Sequence, residues 1–192
     1  MVLPRTNPTK SFWIEGAQSP LRDHRTTESL PGSCDVLIIG SGYSGTTIAY
    51  WLSKPPSMVM LEARDVCGGA TGRNGGQLKP HFYIPYPKWS ELYGRKVAMD
   101  LIRHECSHLQ AFQNLVDEEK IDCSLRISRA WDTLMSDVEI KRSFDAYDEL
   151  LANEGEEAVK EIQDIIRDPR EAEERTRIRG AQAALTCPAG QM

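Results

Sequence analysis

The spacing of apolar positions changes several times along the chain, and each change predicts a different element. Val36-Leu37-Ile38-Ile39 is an unbroken, β-branched apolar run of strand length, the pattern of a buried strand. The run breaks at Gly40. From about Ser44 to Leu52 the residues suit a helix, with Ile48 and Leu52 one turn apart, and Pro55-Pro56 stops it. Met58-Val59-Met60-Leu61 predicts a second strand that finishes at Glu62. Strand, glycine turn, helix and strand fit within about thirty residues, the size of a βαβ unit.

Residues 68–87 are rich in glycine and proline and predict a loop. Ile102, Cys106, Leu109, Phe112 and Val116 recur at three- and four-residue spacing, the buried stripe of one long amphipathic helix from about Trp89 to Glu119. Residues 125–135 read as a strand, although the alternation is imperfect. From Val138 to about Arg179 the chain reads as acidic and helical. Val159, Ile162 and Ile166 form its expected buried face, Pro169 a break, and the glutamates between 154 and 174 a solvated side. Residues 1–33 are polar and proline-bearing and end in the turn signal Pro31-Gly32-Ser33. They are expected to be an N-terminal extension to one domain spanning 34–192.

A length of 192 residues, 40% apolar and 27% charged, suits one globular domain rather than a disordered chain. A net charge of −5 argues against nucleic acid or an anionic membrane surface as a partner. No apolar run is long enough to cross a bilayer, and no apolar stretch follows the first basic residues as in a secretory signal. Cys34, Cys67, Cys106, Cys123 and Cys187 are scattered without a CxxC pair. They suggest neither a disulfide framework nor a zinc knuckle, and point to a reducing, cytoplasmic location.

The chemistry is concentrated in Gly40-Ser41-Gly42-Tyr43-Ser44-Gly45, a GxGxxG placed after a strand and opening a helix. Gly40 allows the tight turn, Gly42 lets backbone approach a pyrophosphate, and Gly45 lets helix and strand pack closely. The amides of Tyr43 and Ser44 lie where a helix N-terminus attracts negative charge. Glu62, at the end of the next strand, is placed to accept hydrogen bonds from both ribose hydroxyls of an adenine dinucleotide, and would repel a 2′-phosphate. The glycine spacing also matches a P-loop, but Thr46 stands where that motif needs the lysine that pairs with the phosphates, so a P-loop is rejected.

The segment after Glu62 separates FAD from NAD. A nicotinamide-binding domain would proceed into another helix and strand. Here Ala63-Arg64-Asp65-Val66-Cys67 leads into Gly68-Gly69-Ala70-Thr71-Gly72-Arg73-Asn74-Gly75-Gly76, too glycine-rich to build a core. It can lay amides against a large flat cofactor, with Arg73 as counter-charge.

These residues, running DVLIIGSGYSG, LEAR and GGATGRNGGQLKPH, resemble the FAD-dependent oxidoreductases of the D-amino-acid oxidase and sarcosine oxidase type, and most closely their fungal members. The resemblance is sharp from Cys34 to about Tyr83 and looser beyond. It implies a Rossmann-like α/β fold of the glutathione-reductase type followed by a helical segment. It implies a flavoprotein that oxidises a C–N bond of an amine or amino acid, with hydride passing to the flavin and oxygen reoxidising it. By position, Gly40, Gly42, Tyr43, Ser44 and Gly45 would hold the pyrophosphate and Glu62 the ribose. Ala63 and Arg64 would lie toward the adenine, and Ala70, Thr71, Arg73, Asn74, Gly75 and Gly76 beside the flavin. Family members are considerably longer, so the chain is expected to be truncated and no catalytic residue is carried over. A catalytically inactive remnant that binds FAD weakly or not at all is the alternative.

Several other residues have competing readings. His104-Glu105-Cys106-Ser107-His108 is a literal HExxH, but no histidine follows to serve as third ligand, and surface histidines account for it better than zinc. Lys79 and His81 are read either as cations over the flavin or as exposed loop residues. Cys67 is read as an unreactive small residue rather than a flavin-linking thiol, and Tyr83, Tyr86 and Trp89 as packing residues.

Overall fold

The computed structural model describes residues 7–17, 19–52 and 57–191. The helix stop read at Pro55-Pro56 lies outside the described residues. The chain divides into two compact units, residues 1–75 and 76–192.

The first unit opens with a short helix, α1 (Phe12–Gly16), capped by the Ser11 hydroxyl. The predicted βαβ unit follows as β1 (Val36–Ile39), α2 (Tyr43–Leu52) and β2 (Met58–Leu61). β1 and β2 pair in parallel, Val36 opposite Met58 through Ile39 opposite Leu61. Only Ile38 of β1 is buried. Leu37 and Ile39, on the other face of the pleat, are 52% and 82% exposed, and Trp51 of α2 is 73% exposed. The apolar run encodes a strand covered on both faces, and this unit covers one. A single turn of 3-10 helix, Ala70–Arg73, ends it.

The second unit is an antiparallel sheet with helices. β3 (Gln77–Leu78) leads to α3 (Tyr86–Tyr93) and α4 (Arg95–Glu119). One helix was expected from Trp89 to Glu119. Gly94, at φ +82°, splits it in two, a conformation that costs glycine little. Ile102 and Leu109 of the predicted stripe are buried, whereas Cys106, Phe112 and Val116 are half-buried. β4 (Arg126–Leu134) matches the strand read at 125–135.

α5 (Asp137–Glu154) starts with a capping box, in which Glu139 N–H donates to the Ser136 hydroxyl and the Glu139 carboxylate accepts from Ser136 and Met135. α6 (Glu156–Val159), β5 (Ile165–Ile166), α7 (Pro169–Thr176) and β6 (Ala183–Gln191) complete the chain. Val159, Ile162 and Ile166 are all buried, but not as one helical face: Ile166 belongs to β5, where it pairs with Ala184. Pro169 opens α7 at its first position, behind an Asp168 cap, rather than breaking a helix.

β6 was not expected from sequence. It is the middle strand, bonded to β3 on one side and to β4 along its whole length, from Ala183 opposite Leu134 to Gln191 opposite Arg126. The segment after β2 is therefore not purely helical; part of an antiparallel sheet lies within it. The core behind the sheet gathers Tyr83, Tyr86, Met99, Ile102, Phe144, Leu150 and Leu185. Tyr83 and Tyr86 are packing residues, as read from sequence.

Candidate functional site

The glycine turn has the geometry its sequence asks for. Gly40 sits at φ +100°, and its amide donates to Leu61 O at 2.7 Å, tying the end of β1 to the end of β2. A Cβ on Gly45 would stand 2.0 Å from Gly40 O and 3.3 Å from the Ile38 side chain, so no larger residue fits where α2 crosses β1. A Cβ on Gly42 would stand 3.0 Å from the Thr71 hydroxyl. That hydroxyl accepts the Tyr43 amide at 2.8 Å. Gly42 thus makes room for a group that caps the first turn of α2.

Tyr43, Ser44 and Gly45 open α2; Thr71 caps the first of their amides, and an N-terminal turn leaves the others no acceptor within the helix. Tyr43 and Ser44 are exposed, so this end of the helix faces outward. A Cβ built on Gly40 would meet nothing within 4 Å, so there is open space beside the turn.

Glu62 lies one residue past β2, as expected, and its carboxylate is turned onto the glycine turn. Oε2 accepts from Ser41 N at 2.9 Å and from the Ser41 hydroxyl at 2.7 Å, while Oε1 accepts from Arg64 N at 3.0 Å. Burial pushes the Glu62 pKa up, but the bonds from Ser41, Arg64 and Ala63 outweigh it and hold the carboxyl below its ordinary value. Glu62 is therefore an anion fixed beside the turn. With two donors from Ser41 and the amides of Arg64 and Ala63 on the carboxylate, binding both ribose hydroxyls would require Ser41 to let go. The residues fit the adenosine and pyrophosphate portion of FAD: a turn with glycine where backbone comes close, an exposed helix start, and an adjacent carboxylate.

Ala63, Arg64, Ala70, Arg73, Asn74 and Gly75 are exposed and Thr71 is half-buried. Arg73 does not stand as an unengaged counter-charge. Its guanidinium donates to Thr9 O at 2.8 Å and to the Thr9 hydroxyl at 3.1 Å. Gly76, read as part of the same run, is buried and begins the second unit. Cys67 has a left-handed backbone (φ 59°), and its thiol donates to Ser41 O at 3.2 Å. Burial, with the Glu62 charge nearby, pushes this thiol up, consistent with an unreactive residue.

Lys79 and His81 are both paired within the second unit. Lys79 bonds Asp132, which also accepts from the Tyr83 hydroxyl at 3.1 Å; Cys187 Sγ lies 4.0 Å from the same carboxylate. Burial and the Asp132 charge raise the Tyr83 pKa, and burial pushes the Cys187 thiol up to about 12. Sequence reasoning missed this cluster, because its members are far apart along the chain and carry no shared motif. His81 Nδ1 is 3.1 Å from Glu105, the central acid of the HExxH, while His104 and His108 stack edge to face. Glu105 is thus the partner of a loop histidine. The second unit also holds a cavity of about 760 Å³ lined by Trp89, Lys88, Arg142, Asp145 and Glu149. Its mixture of charges offers no single-sign field for an ionic ligand.

The chain has recognisable relatives. Gamma-glutamylputrescine oxidoreductase of Escherichia coli is 30% identical over 122 residues, which cover 63% of this chain and 28% of that one. A putative Rieske 2Fe-2S iron-sulfur protein of Bacillus subtilis is 31% identical over 91 residues, 47% of this chain and 18% of its own. Among solved structures, L-amino acid deaminase from Proteus myxofaciens, in complex with anthranilate, superposes with a TM-score of 0.60 at 18% identity, covering 90% of this chain and 36% of that one. The Proteus vulgaris enzyme lacking its specific insertion sequence gives 0.61 at 18% identity, over 94% and 44%. The chain thus spans less than half the length of each. The family model described as FAD dependent oxidoreductase matches residues 35–192. The chain belongs to the FAD dependent oxidoreductase family, whose cofactor is FAD.

Proposed function

We propose that this chain supplies the dinucleotide-binding portion of an oxidoreductase that removes hydride from the carbon bearing nitrogen in an amine or amino acid. The carrying observation is the placement of Glu62. An ionised carboxylate is bonded to the first turn of a GxGxxG loop whose Gly45 leaves no room for a Cβ. That combination suits an adenosine ribose next to a pyrophosphate.

The residues divide the work along the cofactor. Gly40, Gly42, Tyr43, Ser44 and Gly45 frame the pyrophosphate, the glycines by leaving room for it and the start of α2 through a helix dipole that favours its charge. Glu62 accepts from the ribose, and Ala63 and Arg64 border the adenine. Ala70, Thr71, Arg73, Asn74 and Gly75 line the path toward the flavin. FAD, when bound, supplies the hydride acceptor. The substrate class rests on relatives named for a putrescine derivative and for L-amino acids. The cytoplasm is the location proposed, on the pattern of unpaired, scattered cysteines.

The test is anaerobic addition of amines, amino acids and 2-hydroxy acids to the FAD-loaded chain while the visible flavin band is followed. Bleaching by nitrogen-bearing substrates alone supports the reading. A band that no amine or amino acid bleaches favours the inactive remnant, and bleaching by hydroxy acids alone overturns the substrate class.

A further inference from the structure

Residues 9–14, in what the sequence presents as a polar extension, lie along the 72–74 loop and bond to it at successive residues. The Ser11 hydroxyl, 8% exposed, donates to Gly72 O. Trp13 Nε1 donates to Asn74 O at 2.7 Å, and Arg73 reaches back to the carbonyl and hydroxyl of Thr9. Ile14 presses on the same turn: a Cβ on Gly72 would stand 2.7 Å from Ile14 Cδ1. A second anchor lies farther along, where Val66 N donates to Arg22 O at 3.0 Å and Arg22 Nε pairs with Asp65 at 2.9 Å.

Two features make this more than packing of a terminus. The hydrogen bonds to residues 72–74 use two loop carbonyls as acceptors and the Arg73 guanidinium as donor, so they fix the loop at three successive residues. The loop is also directly coupled to the glycine turn, because Thr71 caps the Tyr43 amide. A glycine-rich segment has high conformational entropy when unbound, and ordering it at the moment of ligand binding would cost affinity.

We infer that residues 9–14 form a strap that holds the 70–74 loop in its cofactor-binding shape, making Ser11 and Trp13 positioning residues for the flavin side of FAD. The inference rests on the reading that this loop faces FAD. Its chemistry predicts a split between the two halves of the cofactor. Loosening the strap weakens FAD, which needs the whole loop, more than ADP, which meets the loop only where Thr71 caps the glycine turn.

The experiment compares the full chain with the double variant Ser11→Ala, Trp13→Phe and the conservative variant Ser11→Thr. Hydrogen exchange of the loop is measured without cofactor, and FAD and ADP are titrated separately. The double variant is expected to exchange the loop about tenfold faster and to bind FAD about tenfold more weakly, with ADP affected markedly less and Ser11→Thr close to wild type. Unchanged exchange in the double variant overturns the strap. Equal weakening of FAD and ADP overturns the positioning role in favour of general destabilisation. A wild-type chain that binds neither ligand overturns the cofactor reading and the positioning role with it, while the exchange result still decides whether the strap exists.

Discussion

The Glu62 carboxylate and Ser41 are joined by two bonds to one oxygen, from the serine amide at 2.9 Å and its hydroxyl at 2.7 Å, so the acid that ends β2 closes the turn that follows β1. One group thus serves the fold and the proposed site. Glu62→Ala should weaken ADP and FAD by roughly ten- to a hundredfold, the range for losing hydrogen bonds to a charged group. Titration calorimetry with ADP reads this directly, and unchanged affinity would remove Glu62 from the site.

The same pair sets a pH dependence. The folded pKa of Glu62 lies below its unfolded value, so its contribution is complete above the unfolded pKa and is lost as pH falls through the folded one. The thermal stability of wild type over Glu62→Gln should therefore be constant above about pH 6 and shrink below about pH 4, around the ordinary glutamate value. A difference that grows on acidification would contradict the arrangement.

Gly45→Ala places a methyl 2.0 Å from Gly40 O, a contact that only a shift of α2 relieves. Overpacking of this kind costs about 1–3 kcal/mol and moves the start of α2, where the phosphates are proposed to sit. The variant should melt several degrees lower and lose ADP binding more completely than its stability loss explains. Retained ADP affinity would show that the turn tolerates the shift and is not the phosphate site.

In the second unit Asp132 neutralises Lys79 and accepts from the buried Tyr83 hydroxyl. Asp132→Ala leaves that hydroxyl without this acceptor, at a cost of about 1–3 kcal/mol. It also removes a charge that helps hold the Cys187 thiol near 12. Thiol labelling of the wild type should leave Cys187 unmodified until the protein unfolds. Rapid labelling of Cys187 in the folded chain would show that the cluster is open.

The βαβ unit was legible because its signals are local: an apolar run, glycines at fixed offsets, a second run and an acid. β6 was not. Ala183-Ala184-Leu185-Thr186-Cys187-Pro188-Ala189-Gly190 is small and interrupted by proline, and reads poorly as a strand. Its small residues reflect crowding, since a Cβ on Gly190 would stand 3.3 Å from Leu78, 3.4 Å from Ile127 and 3.4 Å from Leu109, each distant along the chain. The division of the long helix turned on Gly94 alone, an exposed glycine of the kind helices often tolerate. In the site, Glu62 was placed correctly at the end of β2, but its engagement by Ser41 depends on side-chain direction, which spacing does not encode. The Arg73–Thr9 contact was hidden for a different reason: it joins the glycine loop to a segment whose composition suggested nothing to bind.

The measurement that bears most directly on the account is the visible spectrum of the purified full chain after incubation with FAD and desalting. Retention of a flavin band close to one equivalent, lost in Gly45→Ala, is the predicted result. A chain that stays colourless, and whose fluorescence does not respond to added FAD, would contradict the claim that these residues form a working cofactor site.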